Sequence, residues 1–505
     1  MALSCVIWVN HGLGQAVALA QPLVDPCGSF APCEGAEDPT AALTVFLPTP
    51  LDTEHLRWLL PPQGAARLRA RTWRTAPEVE RLLARTPGMN VLLIMVDSLR
   101  ASPFEDPTRS ARRFPHLGAF RQRAHWFTNA FSPAAGTDLC MGGTLTGNLD
   151  PMSGAPFTLP ELLSAAGYKS HAVIPSEVVR ATSKTLLTRG LGSYEILVTD
   201  PWKPNVATEI SSPHITNLGL SFVDRWRAER DPRRPHPFFL WLHYFDVHEH
   251  HQLADELPEI VAHNGGKTPE SKLEKYEALL SITDEALGRL FEGLASRGLS
   301  DNTIVVLAAD HGESLKEDPR LPENHGLVLY NPLVHIPLAF AVPGTEGGDV
   351  PQLASLLDVP TTLLDLIGLP IPASMQGGQS LLPALVDVLP VEDRPRRLVL
   401  NESDQYAVIE WPWKLLVRRK TAAAELYDLS QDFGETLNLA ETLPEKVNAL
   451  SRAYQATPAI NLDRTRAGRK RFEELARSTR PAPAELARLV RRSPPPPRAT
   501  SAETN

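Results

Sequence analysis

"NVLLIMVDSLR", residues 90–100, is the stretch of this sequence that decides the fold. Five consecutive apolar residues, Val91 to Met95, predict a strand that is buried on both faces, as in a parallel sheet. The strand ends at Val96, and Asp97 follows it directly. Because ligands of open α/β sheets bind at the carboxyl ends of the strands, a carboxylate stands where a functional site is expected.

Two further stretches repeat this pattern. "NTIVVLAADHGES" predicts a strand over 303–309, with Asp310 and His311 at its end. "PFFLWLHYFDVHEHH" predicts a strand over 239–244, with His248 just beyond it. Three strands therefore direct polar residues toward one edge of a sheet.

Helical patterns alternate with these strands, notably "TLPELLSAAGY", "EKYEALLSITDEALGRLFEGLASRG" and "DVPTTLLDLIGL". The alternation predicts an α/β fold, with a mostly parallel sheet and helices on both faces. From Leu398 the pattern changes to short strand-like pieces, "YAVIEWPWKLLVRR" and "AELYDLS", which predict a small antiparallel subdomain.

The chain of 505 residues is long enough for one large domain with appendages or for two to three ordinary domains. We expect an N-terminal region of unknown role over 1–88, a main domain over 89–397 and the small C-terminal subdomain over 398–455. The segment 480–505 is basic and rich in proline, which predicts a disordered tail.

Composition excludes some classes of partner. The formal charge of −9 argues against nucleic-acid binding, which needs a clustered basic face. No apolar run approaches the roughly 18 residues of a membrane span. The first 22 residues are apolar with an Ala-x-Ala-like end, but they lack a basic start. Cys27 and Cys33 are close enough in sequence to pair, and together these features favour a periplasmic or extracellular location without fixing it.

The chain resembles a sulfatase-type member of the alkaline phosphatase superfamily over most of residues 89–455. The matching stretches occur in the family's order, and they are "NVLLIMVDSLR", "FPHLGAFRQRAHWFTNAFSP", "GTLTG", "TLPELLSAAGYKSHAV", "PFFLWLHYFDVH", "TDEALGRLFEGLASRGLSDNTIVVLAADHGE", "HGLVLYNPLVHIPLAF", "DVPTTLLDLIGLP" and "ELYDLSQDFGETLNLA". The resemblance implies an alkaline-phosphatase-like fold and a catalytic role for the main domain.

The resemblance also implies a nucleophile within "SPAAGTDLCMGGTLTG", residues 132–147. The family's nucleophile stands ten residues before the glycine of its L-T-G signature, and sulfatases use there the cysteine of C-x-P-S-R, which is oxidised to formylglycine. Counting back from Gly147 gives Thr137, whereas Cys140 falls at the motif's serine and Met141 at its arginine. Related branches that transfer phospho groups use threonine in this place. Thr137 is therefore the expected nucleophile, and Cys140 is expected to be a small buried side chain.

A threonine hydroxyl is a weak nucleophile, and a divalent cation is a standard means of activating it. The resemblance implies one cation held by Asp97, Thr137, Asp310 and His311. This mixed oxygen and nitrogen set suits Mn²⁺ or Zn²⁺ better than Ca²⁺ or Mg²⁺. "DSLR" lacks the second aspartate of the sulfatase Asp-Asp pair, which favours a single metal ion.

His248 and His325 match the family's substrate-contacting histidines, and either could hold a non-bridging oxygen or protonate the leaving group. Consecutive histidines on a loop mostly face solvent, so we expect this of Glu249, His250 and His251. Lys414 is interpreted as structural.

The expected function is metal-dependent hydrolysis of phosphate, phosphonate or sulfate esters through a covalent threonine intermediate. One alternative is a transferase that passes the phospho group to a glycan or lipid acceptor, and another is a catalytically silent binding protein. The substrate is expected to be a small-molecule, glycan or lipid ester. Its identity, the choice between sulfate and phosphate, and the oligomeric state stay open.

Overall fold

The computed structural model describes residues 5–11, 14–20, 73–197, 209–231, 236–375, 377–388 and 396–490. The chain divides into two compact units, Met1–Thr75 and Ala76–Asn505. In the first unit, strands β1 (Cys5–His11) and β2 (Gly14–Ala20) form an antiparallel pair. The predicted Cys27–Cys33 pair lies outside the described residues.

The second unit is built on an eight-stranded sheet. Its strands are β3 (Asn90–Val96), β4 (His125–Phe131), β5 (Lys169–Pro175), β6 (Ser193–Leu197), β7 (Phe238–Tyr244), β8 (Thr303–Ala309), β9 (Leu338–Ala341) and β10 (Gly348–Ser355). They lie in the order β10-β4-β9-β8-β3-β7-β5-β6. Only β9 runs antiparallel to its neighbours among these pairs. The predicted mostly parallel sheet is confirmed.

The three strands predicted from their apolar runs lie side by side at the centre. Every side chain of β3, β7 and β8 is buried, and because successive side chains of a strand point to opposite faces, both faces are covered. In the register, Val96 pairs with Tyr244 on one side and Ala309 on the other. The residues that follow these strands therefore meet at one edge of the sheet.

The helices that cover and connect this sheet are α1 (Pro77–Arg85), α2 (Pro107–Arg113), α3 (Pro115–Arg123), α4 (Thr137–Thr146), α5 (Leu159–Ala165), α6 (Ser176–Ala181), α7 (Lys184–Thr188), α8 (Ser212–Glu229), α9 (Pro258–His263), α10 (Lys272–Ser296), α11 (Asn331–Val334), α12 (Asp358–Leu366) and α13 (Leu382–Leu385). The helices predicted from periodicity correspond to α5, α10 and α12. A capping box of Thr158 and Glu161 fixes the start of α5. Among the described helices, none is both long and apolar enough to cross a bilayer.

The unit begins at Ala76, ahead of the boundary expected at residue 89. Helix α1 accounts for the difference, because Val79 and Leu82 on it are buried. The hydroxyl of Thr86, just after α1, donates a hydrogen bond to the carbonyl of Leu366 at the end of α12. Helix α1 is therefore tied to the main domain.

The C-terminal subdomain is the antiparallel sheet that the short strand patterns predict. Its strands β11 (Leu398–Asn401), β12 (Gln405–Glu410), β13 (Trp413–Arg418) and β14 (Ala424–Asp428) pair in sequence order, and helix α14 (Pro444–Gln455) follows. Alternation decides the packing: Ile409 and Tyr427 contact Phe131 and its neighbours in the main domain. Val408 and Leu426 instead pack with Leu450 of α14.

Two helices follow, α15 (Arg466–Ser478) and α16 (Pro483–Leu489). The prediction of disorder from residue 480 is wrong for the part up to 490, because "PAELARL" forms α16, which packs against α5. Proline at the first helical position and the helix-forming alanines and leucines favour this helix. Residues 491–505 lie outside the described residues.

Candidate active site

The edge formed by β3 and β8 gathers four side chains predicted as metal ligands. Asp97 follows β3, while Asp310 and His311 follow β8, and all three are fully buried. Thr137 is the first residue of α4 and is 9% exposed. His311 Nε2 lies 3.1 Å from Thr137 Oγ1, 3.4 Å from Asp310 Oδ2 and 3.8 Å from Asp97 Oδ1. The chain therefore brings the four side chains to one point.

The tautomer of His311 follows from its second nitrogen. Nδ1 lies 2.8 Å from the carbonyl oxygen of Gly312, which can only accept, so Nδ1 carries the proton. In the neutral ring Nε2 then presents a lone pair to the carboxylates and accepts a hydrogen bond from the Thr137 hydroxyl.

His243 is a further member of the site that the sequence analysis missed. Its Nε2 lies 3.1 Å from Asp97 Oδ2, and both side chains are fully buried. Asp97, His243 and Asp310 each offer a ligand atom, and these atoms lie within 4.8 Å of one another. His243 lies within the apolar run of β7, so its sequence context indicates a core residue. The sequence signal that could have identified His243 is a single polar residue one position before the end of a predicted buried strand.

The electrostatics of the two carboxylates differ. Burial opposes ionisation of Asp97, but the hydrogen bond from His243 and the nearby ring of His248 hold its pKa below the usual range. Burial and the charge of Asp97 raise the pKa of Asp310. Asp310 Oδ2 is buried and accepts no hydrogen bond from the described residues. An unpartnered carboxylate oxygen beside a second carboxylate and imidazole nitrogens fits a divalent cation.

Ser98 stands where the sulfatase pattern has its second aspartate. Its φ is 60°, a left-handed conformation that is uncommon outside glycine. Both backbone groups of Ser98 are satisfied there: the N–H donates to Asp310 Oδ1 at 3.1 Å, and the carbonyl accepts from the Tyr276 hydroxyl at 2.9 Å. The unusual backbone thereby links the ends of β3 and β8.

The two predicted substrate-contacting histidines lie next to this cluster. The His325 ring centroid is 4.3 Å from that of His311 and 5.2 Å from that of His248. His325 Nδ1 donates to Glu313 Oε2 at 3.0 Å. Burial lowers the pKa of His325, but the bond to Glu313 outweighs this and raises it to about 9. The bond to Glu313 therefore favours the protonated ring, whose Nε2–H is not used in that bond.

The loop "HEHH" differs from the expectation that its last three residues face solvent. It forms a 3-10 turn over His248–His251, in which Glu249 and His250 are buried and only His251 is exposed. His250 packs 6.0 Å from the ring of Tyr276 on α10, and Glu249 Oε1 lies 3.1 Å from His248 Nδ1. The expectation is wrong for Glu249 and His250, because packing on α10 covers the loop.

Cys140 lies about one turn into α4. Its Sγ donates to the carbonyl of Ala134 at 3.2 Å, and the side chain is fully buried. Burial raises the pKa of the thiol well above its ordinary value. The side chain is a buried, unactivated thiol.

Comparisons with known proteins agree with this architecture. A profile of the Sulfatase family matches residues 89–369, more than half of the chain. Arylsulfatase K from Homo sapiens is 30% identical over 184 residues, which cover 34% of this chain and 34% of that protein. Arylsulfatase K from Danio rerio is 23% identical over 314 residues, covering 55% of this chain and 58% of that protein. The matched segments thus span less than two thirds of these relatives.

Solved structures share the fold at low identity. The phosphonate monoester hydrolase of Agrobacterium radiobacter superposes with a TM-score of 0.56 and 18% identity, covering 73% of this chain and 95% of that one. A protein solved with its substrate D-glucosamine-2-N,6-O-disulfate superposes with a TM-score of 0.55 and 16% identity, covering 76% of this chain and 98% of that one. With the profile match over the domain that carries Asp97, Thr137 and Asp310, these comparisons show that the chain belongs to the Sulfatase family.

Proposed function

We propose that the protein is a metal-dependent hydrolase of phosphate, phosphonate or sulfate esters that works through a covalent intermediate on Thr137. The observation that carries the proposal is the position of Thr137 Oγ1 at the head of α4, 3.1 Å from His311 Nε2, which itself lies 3.4 Å from Asp310 Oδ2 and 3.8 Å from Asp97 Oδ1. Family membership supports ester chemistry at this edge of the sheet.

Asp97, Asp310 and His311 would hold one divalent cation, with His243 beside Asp97 as a further donor. Such a cation stabilises an alkoxide and offsets the charge on the oxygens of the ester group. The donor set of carboxylate oxygens and imidazole nitrogens favours Mn²⁺ or Zn²⁺.

The residues of the chain then have separate tasks. Thr137 Oγ1 releases its proton to a water molecule and forms a bond to the phosphorus or sulfur atom, while the bond from that atom to the ester oxygen breaks and that oxygen leaves in the alcohol product. His325, held cationic by Glu313, donates Nε2–H to the departing or a non-bridging oxygen. Burial raises the pKa of Glu249 to about 8, so its carboxyl group donates to His248 Nδ1, and Nε2–H of the neutral His248 ring is left to donate to a second oxygen. In the second step the oxygen of a water molecule bonds to the phosphorus or sulfur atom, the bond from that atom to Thr137 Oγ1 breaks, and Oγ1 regains a proton from that water.

The proposal covers both sulfate esters and esters of phosphorus acids. One structural neighbour was solved with a sulfated glucosamine and another is a phosphonate monoester hydrolase. The threonine nucleophile and the loss of the C-x-P-S-R pattern at Cys140 and Met141 favour a phospho ester. A small-molecule or glycan ester is therefore the proposed substrate.

The test is turnover by the purified full chain supplied with Mn²⁺ or Zn²⁺, using chromogenic sulfate, phosphate monoester, phosphate diester and phosphonate esters. Thr137→Ala should lower turnover by roughly 10³-fold or more, as loss of a nucleophile does. Cys140→Ser is the matched control on the same helix and should retain most activity. Mass spectrometry of the quenched enzyme should find the added group on Thr137.

Equal activity of Thr137→Ala and the parent, or formylglycine at position 140, would refute the covalent threonine. Absence of turnover on all four esters with either metal would favour the silent binding protein. Turnover that rises when an alcohol acceptor replaces water would favour the transferase.

A further inference from the structure

We propose that Arg464 is the positioning residue that holds the nucleophile turn, Ala135–Asp138, in its reactive geometry; this inference rests on the proposed function of Thr137. Arg464 lies in the segment between α14 and α15, beyond the stretch matched by the family profile. Its guanidinium reaches back to the head of α4.

Arg464 makes two bidentate ion pairs. Toward Asp138, Nε lies 2.6 Å from Oδ2 and Nη2 lies 2.9 Å from Oδ1. Toward Glu402, Nη1 lies 2.6 Å from Oε2 and Nη2 lies 3.2 Å from Oε1. Four of the five guanidinium N–H donors are thereby used. Arg464 is therefore committed to the turn and is not free to bind substrate with its full fork.

One carboxylate accepts a hydrogen bond from the backbone of the turn, and the other accepts one from the residue that follows the turn. Glu402 Oε1 accepts from the backbone N–H of Ala135 at 3.1 Å, and Asp138 Oδ1 accepts from that of Leu139 at 2.9 Å. A Cβ placed on Gly136 would lie 3.7 Å from Arg464 Nη2. The guanidinium therefore joins the residues before Thr137 to the residues after it.

Charge explains why an arginine is needed here. Glu402 is fully buried, and the side chain of Asp138 is only 13% exposed, so two carboxylates share a poorly solvated space. Without the guanidinium the two carboxylates would repel each other across the turn. Removing the positive partner of a buried ion pair is strongly destabilising, because the remaining charge is left uncompensated. Planar bidentate pairing is a property of arginine that lysine does not reproduce.

The backbone around Arg464 is held by the start of helix α15. Asp463 Oδ1 accepts from the Thr465 hydroxyl at 2.6 Å, and Thr465 caps α15 by accepting from the N–H of Gly468. Helix α15 is in turn anchored to the main domain by Glu473, which accepts from the hydroxyls of Ser183 and Thr185. Arg464 therefore precedes a helix that is itself anchored to the main domain.

The inference also accounts for a departure in the nucleophile motif. The position that carries arginine in C-x-P-S-R is Met141, whose side chain is fully buried within α4. The guanidinium near this turn comes instead from a residue 326 positions away from Asp138.

The experiment compares the full-chain variants Arg464→Gln and Arg464→Lys with Arg469→Gln, which removes an exposed arginine from α15. The substrate is the ester for which the parent has the highest turnover. On it, Arg464→Gln should lower kcat by about 10²-fold, because the reacting hydroxyl of Thr137 is misplaced, and should change KM little. Arg464→Lys should recover only part of kcat, and Arg469→Gln should match the parent.

A second readout does not depend on activity. Hydrogen exchange followed by mass spectrometry should become faster in the peptide 132–146 of Arg464→Gln and stay unchanged in Arg469→Gln. Faster exchange with unchanged kcat would leave Arg464 a structural residue only and overturn the inference, as would unchanged exchange. If the parent turns over no ester, the proposed function fails, and exchange alone decides whether Arg464 holds the turn. If Arg464→Gln unfolds, Arg464→Lys, which keeps the charge, decides by the same two readouts.

Discussion

Replacing Lys414 with methionine should destabilise the protein by several kcal/mol, because it leaves a buried charge without its partner. Lys414 on β13 is fully buried, and its Nζ lies 2.7 Å from Glu435 Oε1 and 2.7 Å from Asn331 Oδ1. Glu435, also fully buried, accepts from the backbone N–H of Asn331 at 2.6 Å. The three groups join the small sheet to the start of α11.

The magnitude follows from the burial of both charges. Removing one partner of such a pair costs about 3–5 kcal/mol, since the other charge must be neutralised or reached by water. Lys414→Met preserves most of the side-chain volume, so little of this loss is a packing defect. Converting Glu435 to glutamine as well removes the stranded charge and keeps an acceptor for Asn331, so the double variant should regain most of the loss.

The assay is urea unfolding of the parent, Lys414→Met and the double variant Lys414→Met/Glu435→Gln, followed by tryptophan fluorescence. Helix α11 also supplies the carbonyls of Pro332 and Leu333, which accept from the N–H groups of Glu313 and Gly312. Turnover of the single variant should therefore fall together with its stability. A single variant within about 1 kcal/mol of the parent, or a double variant no more stable than the single one, would refute the reasoning.

Two further predictions concern the metal and acid. Asp310→Asn should weaken Mn²⁺ binding by at least about tenfold in calorimetry. Thermal unfolding of the metal-free variant should stay near that of the parent, because β8 is held by its own apolar side chains. Loss of folding would indicate a structural role for Asp310 instead. Burial lowers the pKa of His125, His171 and His335, which lie outside the candidate active site, to about 4, so below pH 6.5 the unfolded chain binds protons that the folded chain does not. Stability should therefore fall as pH drops from about 6.5 to 4, by up to ~3 kcal/mol per group, and a flat profile in urea unfolding over that range would contradict the burial of His125, His171 and His335.

The sequence predicted the centre of the molecule well because its signals are local. The apolar runs of β3 and β8 end where a charged residue begins, so the strand ends, and with them Asp97 and Asp310, could be located from periodicity and the βα rule. The family spacing pointed to Thr137, and the structure places it beside His311.

The residues that were missed depend on tertiary contacts. His243 has the sequence context of a core strand, and only the pairing of β7 with β3 brings it to Asp97. Glu249 and His250 look exposed until α10 packs on their loop. Arg464 acts across 326 residues of sequence, and no local pattern links it to Asp138.

The position of β3 between β7 and β8 has a consequence for biosynthesis. Both neighbours are made after β3, and the bond from Ser98 to Asp310 closes a separation of 212 residues. A nascent chain therefore carries the six apolar residues of β3 with both edges unpaired until β7 is made, and with one edge unpaired until β8 is made. Such long-range closure is slow, so we expect this strand to be the segment most dependent on chaperone protection during synthesis.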